Sequence, residues 1–162
     1  MAVNSDKLRE VRGNFVTGVT VITLPTDPPH GMTASAFSSV SLDPPLCLVC
    51  IDHGTQTYDY LTGGVNKFCV NILSNKQQDV GKHFAGMSEH NENLFEIKST
   101  RTGVTGAPIF EDGLAYLDCI INAAHEAGDH TIFIGRVEAT DIQRPEAKPL
   151  GFFRSQWLTS VE

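Results

Sequence analysis

The chain is poor in positive charge, in cysteine and in long apolar runs, and each shortage removes a class of function. Twelve Lys and Arg against nineteen Asp and Glu leave a formal charge of −7. With no run of Lys or Arg to build a basic face, neither nucleic acid nor an anionic membrane is expected as the main partner. The longest apolar stretches are strand-sized, far short of the ~18 residues of a membrane-spanning helix. The opening Met-Ala-Val-Asn-Ser-Asp-Lys lacks the basic-then-apolar layout of an export signal, so the cytoplasm is the expected location. No Gly-x-Gly-x-x-Gly opens a helix, which argues against a parallel dinucleotide-binding sheet. No Ser-His-Asp elbow, His-Glu-x-x-His or P-loop appears either.

Four cysteines and six histidines do not suggest a metal centre. Cys47 and Cys50 form a Cys-x-x-Cys inside a strand-like run, where positions three apart point to opposite faces and cannot chelate one ion. Cys69 and Cys119 sit among apolar neighbours, so reduced, buried thiols are expected. The histidines are scattered, with no i, i+4 pair and no accompanying acidic ligand pattern. No metal is expected.

What is present is an ordinary soluble composition: 162 residues, 41% hydrophobic and 19% charged. That length reads as one domain over residues 1–162, able to bury ~70% of its unfolded surface. Leu8, Val11 and Phe15 recur at helical spacing, with Ser5 or Asp6 as cap. Strands are expected over Asn14–Leu24, Met32–Val40, Leu46–Asp52, Lys67–Leu73 and Leu150–Phe153. Leu114–Ala124 and His130–Ile142 read as a long hairpin. Short helices are expected at Thr55–Leu61 and after Ser74, which stands three residues before Gln77 as in a capping box. Residues 87–113 read as a polar, folded excursion. Turn-linked strands with few helices favour a mainly β chain closed into an antiparallel barrel.

The most informative stretch is Gly31–Ile51. Small side chains (Thr33, Ala34, Ser35, Ala36, Ser38, Ser39, Ser41) precede an Asp43-Pro44-Pro45 turn and a solid apolar strand. Such a segment lets a flat ligand lie close to the backbone, whose N–H and C=O groups read its polar edge. An edge strand with one solvated face has the same composition.

Those residues, followed by Asp52-His53-Gly54-Thr55, Phe68–Leu73, Gln77-Gln78 and His83-Phe84-Ala85-Gly86, resemble the short-chain flavin reductases. These are the reductase components of two-component flavin-dependent monooxygenases, such as the hydroxyphenylacetate and phenol hydroxylase systems. Gly128–Gly135 and Pro149–Arg154 resemble the later signatures of the same family, so the likeness runs from about Leu8 to Trp157. It implies a split antiparallel β-barrel with a few short helices, binding FMN or FAD, commonly as a homodimer with flavin near the subunit interface. It implies NADH or NADPH as electron donor and a separate monooxygenase as partner. No catalytic side chain is required, since hydride passes directly between two stacked rings.

The resemblance also assigns residues. Thr33, Ala34, Ser35 and Ala36 would line the isoalloxazine, with Val40 and Ser41 closing the next wall. Asp52, Gly54, Thr55 and Thr57 would meet the ribityl phosphate, although Thr55 and Thr57 also suit simple helix capping. Phe84, Ala85 and Gly86 would border the flavin; periodicity alone packs Phe84 with Val80 in the core. Lys82 is either a phosphate partner or a solvated lysine, and Trp157 either covers the site or lies at a dimer seam. His130, Phe153 and Arg154 would face the nicotinamide nucleotide. An exposed turn histidine and a docked C-terminal strand are the plain alternatives. The tail lacks the tyrosine and second basic residue of the family pattern. Two rival functions remain: a split-barrel FMN oxidase, and a non-enzymatic flavin- or haem-binding module that shuttles electrons or senses.

Overall fold

Period-two alternation carries most of the architecture. The structure, a computed structural model, describes residues 3–89 and 92–160. Asn4, not Ser5 or Asp6, caps the first helix: its Oδ1 accepts from the Asp6 and Lys7 N–H groups ahead of α1 (Ser5–Arg12). A two-residue strand, β1 (Thr17–Gly18), leads to β2 (Thr20–Leu24), β3 (His30–Ala34), β4 (Phe37–Leu42) and β5 (Pro45–Asp52). Then come α2 (Gln56–Thr62), β6 (Lys67–Ile72) and α3 (Gln78–Phe84). The polar excursion folds as α4 (Leu94–Ile97) and the small hairpin β7 (Thr100–Thr102) and β8 (Pro108–Phe110). The long hairpin is β9 (Ala115–Ala127) and β10 (His130–Ile142). Strand β11 (Gly151–Phe153) pairs with β12 (Gln156–Leu158), a strand the sequence pattern did not suggest.

The capping box is half formed. Gln77 Oε1 accepts from the Ser74 N–H at 3.0 Å, but the Ser74 hydroxyl donates to the Asp112 carbonyl instead. Helix α3 therefore starts at Gln78, behind Gln77 rather than Ser74.

The chain is mainly β, and its principal sheet has seven antiparallel strands in the order β3-β2-β6-β9-β10-β5-β4. Its two edge strands, β3 and β4, are consecutive in the chain. Only Ser35 and Ala36 separate them. Three peptide steps span at most about 11 Å, so the two edges come together at that point. The expected single strand Met32–Val40 is therefore broken, because its halves belong to opposite edges of one sheet. Beyond the break, the Cys50 N–H donates to the Ala36 carbonyl at 3.0 Å and extends the β4–β5 ladder.

Strand β2 is buried along its whole length because its two faces feed different cores. Ile22 and Leu24 join Val49, Ile51, Phe68, Val70 and Phe133 in one. Val19 and Val21 join Leu73, Val80, Phe110 and Leu150 in the other. Each such side chain contributes about 1.5–3 kcal/mol on burial. Gly135 on β10 is required by the first core: a Cβ there would lie 2.6 Å from Phe68 Cζ and 2.9 Å from Cys119 Cβ. Asn71 links the sheet to β8, donating to the Thr23 hydroxyl at 3.1 Å while its Oδ1 accepts from the Phe110 N–H at 2.9 Å. All four cysteines are free; Cys47, Cys69 and Cys119 are buried and Cys50 is half-buried.

His30 Nε2 lies 2.8 Å from the Thr57 hydroxyl, joining β3 to α2. Burial pushes its imidazole below the ordinary value of 6.5, so folding favours the neutral ring. The unfolded chain then binds the proton more readily. This contribution is whole above the ordinary range and is lost as pH falls through the lower folded value. Chemical denaturation between about pH 7 and about pH 5 is expected to show a steeper loss of stability for the wild type than for His30→Gln. Equal slopes would exclude His30 as the group responsible.

Candidate functional site

The wall of small residues is held from three directions. The Thr33 hydroxyl donates to the Gly81 carbonyl of α3 at 2.7 Å. The Thr20 hydroxyl of β2 donates to the Ala34 carbonyl at 2.6 Å, and β5 holds Ala36 as described. Ser35 is exposed, while Thr33, Ala34 and Ala36 are half-buried. No bulky side chain is needed to keep this wall in place. On β4, Val40 falls at a bulge between Ser39 and Ser41 and is exposed; Ser41 is half-buried.

A cavity of about 360 Å³ lies against Ser35, walled also by Phe15, Val16, Thr17, Gly18, Thr20, Phe37 and Ile72. The Thr17 hydroxyl in that wall is buried and has no hydrogen-bond partner. An orphaned buried hydroxyl costs about 1–3 kcal/mol, so this wall has a hydroxyl available to a polar ligand atom. A flat heterocycle with polar edge atoms fits both features: the absence of bulk at Ser35 and the unmet hydroxyl at Thr17. Sequence reasoning missed Thr17, whose neighbours read only as strand. Of the four wall residues, Ser35 alone lines this cavity.

A second cluster forms where β5 ends and β10 begins. Asp52 is paired in register with His130. The His53 N–H donates to the Asp129 carbonyl at 3.0 Å, and His53 Nε2 lies 2.9 Å from the Thr131 hydroxyl. His130 Nδ1 is 2.6 Å from Asp129 Oδ1, which leaves Nε2 as the outward nitrogen. The hydrogen bond from His130 lowers the pKa of the exposed Asp129 carboxyl. Ligand atoms of Asp52, Asp129 and His130 lie within 4.8 Å of one another. Asp129 adjoins His130 in the sequence, and strand register adds Asp52 from 78 positions away.

The turn after Asp52 is closed on itself. Its Oδ1 accepts from the Gly54 N–H at 2.7 Å, its carbonyl accepts from the Thr55 hydroxyl at 2.8 Å, and Thr55 Oγ1 accepts from the Tyr58 N–H. Thr55 is thus the cap of α2, and Thr57 is buried against His30. Both hydroxyls expected to meet a phosphate are used internally. A carboxylate already occupies the Gly54 N–H.

The two clusters share one strand. Ala36 faces Cys50, and Asp52 lies two residues further along β5, or about 7 Å at strand rise. His130 is its neighbour on β10. Phe84 sits at the other end of β3, where a Cβ on Gly31 would meet its ring at 2.7 Å. It packs with Phe95 and Phe110 at 5.1 and 5.8 Å between ring centres, so core packing accounts for it. Ala85 and Gly86 are exposed beyond it, Gly86 with a φ of +71°. Trp157 packs on Gly81, where a Cβ would lie 2.8 Å from its ring. Arg154 and Ser155, both at positive φ, turn the β11–β12 hairpin. The Arg154 guanidinium stacks 5.0 Å over Phe153 and donates to Asn14 Oδ1 at 2.8 and 2.6 Å. Among the described residues no contact brings Phe153 or Arg154 to His130.

The family described as "Flavin reductase like domain" matches residues 12–159. A "Probable flavin reductase" of Rhizobium meliloti is 41% identical over 154 residues; these cover 94% of this chain but 48% of that protein, so the chain spans about half its length. The "Flavin-dependent monooxygenase, reductase subunit HsaB" of Mycobacterium tuberculosis is 36% identical over 156 residues, 95% of this chain and 81% of that one. Among solved structures, a Streptomyces globisporus NADH:FAD oxidoreductase in complex with NAD and FAD fragments superposes with a TM-score of 0.87 at 34% identity, covering 99% of this chain and 97% of that one. With the match running from Arg12, the last residue of α1, through β12, this chain belongs to the flavin reductase like domain family.

Proposed function

We propose that this chain is an NAD(P)H:flavin oxidoreductase that reduces FMN or FAD and releases it to a separate flavin-dependent monooxygenase. The observation that carries the reading is the continuity from Ala36 through Cys50 and Asp52 to His130, which sets a bulk-free wall beside a projecting imidazole. Bound flavin supplies the hydride acceptor, and a nicotinamide stacked on its open face supplies the hydride. The chain's own part is to position. Thr33, Ala34, Ser35 and Ala36 let a tricyclic ring lie flush and offer backbone groups to its edge. Val40 and Ser41 border it, with Phe84, Ala85 and Gly86 at the far end of β3. Asp129 fixes the His130 ring so that Nε2 points outward to the nucleotide. The relatives named for NADH and FAD support that donor and that flavin.

The finer architecture belongs to the same proposal. A single domain folds as a split antiparallel barrel, supported by the two-residue link between opposite sheet edges. A homodimer is supported by Leu8, Val11, Phe15 and Val16, which are 46–77% exposed on and just after α1. That patch borders the cavity holding the orphaned Thr17 hydroxyl, so a second copy would complete the flavin wall. In light scattering the chain is expected at twice its 17.6 kDa mass. Phe15→Asp is expected to give monomer and weaker flavin binding; monomeric wild type with full activity would remove the dimer from the account.

The activity test follows loss of nicotinamide absorbance with and without flavin. Stimulation by FMN or FAD is expected. Flavin binding without turnover would point instead to a shuttle or sensor. His130→Ala is expected to raise the nicotinamide KM about tenfold with little change in flavin Kd. Unchanged kinetics would take His130 out of the site. Ala36→Phe is expected to weaken flavin binding at least about tenfold while the chain stays folded by circular dichroism. Retained affinity would contradict the flush-ring geometry.

A further inference from the structure

A larger cavity, of about 720 Å³, lies at the other end of β10 from His130. It opens between the Ser74–Gln77 link, Lys98 and Ser99 ahead of β7, and residues 143–148, with Phe110 in its floor. Its volume is within the usual range of a small-molecule site, about 300–1,000 Å³. Its walls are pinned: the Asn75 N–H donates to the Lys148 carbonyl at 2.8 Å, and Ser74 bridges Pro149.

The chemistry of the walls is specific. Four of the chain's twelve Lys and Arg line it: Lys76, Lys98, Arg144 and Lys148. Two of the four are matched by carboxylates, which leaves the other two to receive an anion. Lys98 is paired with Asp79 at 2.5 Å and Arg144 with Asp112. Lys76 and Lys148 have no ion-pair partner among the described residues. Gln143 makes the opposite demand. Its Nε2 donates to the Phe110 carbonyl at 3.1 Å, which fixes the amide, and its Oε1 is buried with no partner. That oxygen needs an N–H or O–H donor. Glu146 adds a carboxylate to the same wall, which disfavours a bare polyanion and suits sugar hydroxyls.

We infer that this cavity binds a nucleoside monophosphate whose base carries an amino group. The amino group donates to Gln143 Oε1 above Phe110, the ribose hydroxyls donate to Glu146, and the phosphate lies between Lys76 and Lys148. The site is separate from the flavin wall. It takes no part in hydride transfer.

Calorimetric titration of the wild-type chain with AMP, GMP, adenosine and inorganic phosphate tests the assignment. AMP or GMP is expected to bind at least about tenfold tighter than adenosine or phosphate. The double variant Lys76→Ala/Lys148→Ala is expected to lose at least about tenfold in that affinity, and Gln143→Leu a similar factor, whereas His130→Ala stays within about twofold of wild type. Three results would overturn it: no binding of either nucleotide at millimolar concentration, phosphate binding as tightly as nucleotide, or loss of nucleotide binding in His130→Ala with the lysine pair unaffected. The last would place the nucleotide at the start of β10 instead.

Discussion

The two edges of the seven-stranded sheet must meet, because β3 and β4 are joined by Ser35 and Ala36 alone. Everything about the candidate site follows from that short link. The point where the two edges converge carries no bulky side chain, because Thr33-Ala34-Ser35-Ala36 supplies none. Three hydrogen bonds, from Thr33 to α3, from Thr20 to Ala34 and from Cys50 to Ala36, hold the link without covering it. The result is a rigid surface of backbone and small side chains, which is what a planar ligand requires.

Strand pairing also brings distant chemistry together. The same strand that receives Ala36 ends at Asp52, and its partner β10 begins at His130. A bulk-free wall and an oriented imidazole thereby sit on neighbouring stretches of one ladder. Positioning of this kind suits a reaction in which the reacting groups belong to two bound heterocycles and the protein donates no nucleophile. The Asp129–His130 pair lies at an exposed hairpin turn, so on the proposed reading the nucleotide side of the site is open to exchange. A loosely covered site of this sort releases its product, as a supplier of diffusible reduced flavin must.

Local pattern made much of this legible. Alternation placed β5, β6, β9 and β10 closely, and Gly63 and Gly86 marked two helix ends. The break at Ser35 was not visible, since Thr-Ala-Ser-Ala-Phe-Ser-Ser-Val has no Gly, Pro, Asn or Asp to mark a turn; only the pairing of its halves with β2 and β5 separates them. Asn4 outranked Ser5 as cap because the helix began one residue sooner than the apolar spacing indicated. Thr57 looked like a free hydroxyl because His30, its partner, lies 27 positions away. Asp52, Asp129 and His130, and likewise Lys76, Gln143 and Lys148, converge through register and loop packing. No local window contains such information.

A crystal structure of the chain with oxidised FMN or FAD bound tests the central claim most directly. The account predicts the isoalloxazine lying against the Ala34–Ala36 backbone, with its opposite face open toward His130. A ring bound elsewhere, with Ser35 and Ala36 covered by side chains of either copy, would contradict it.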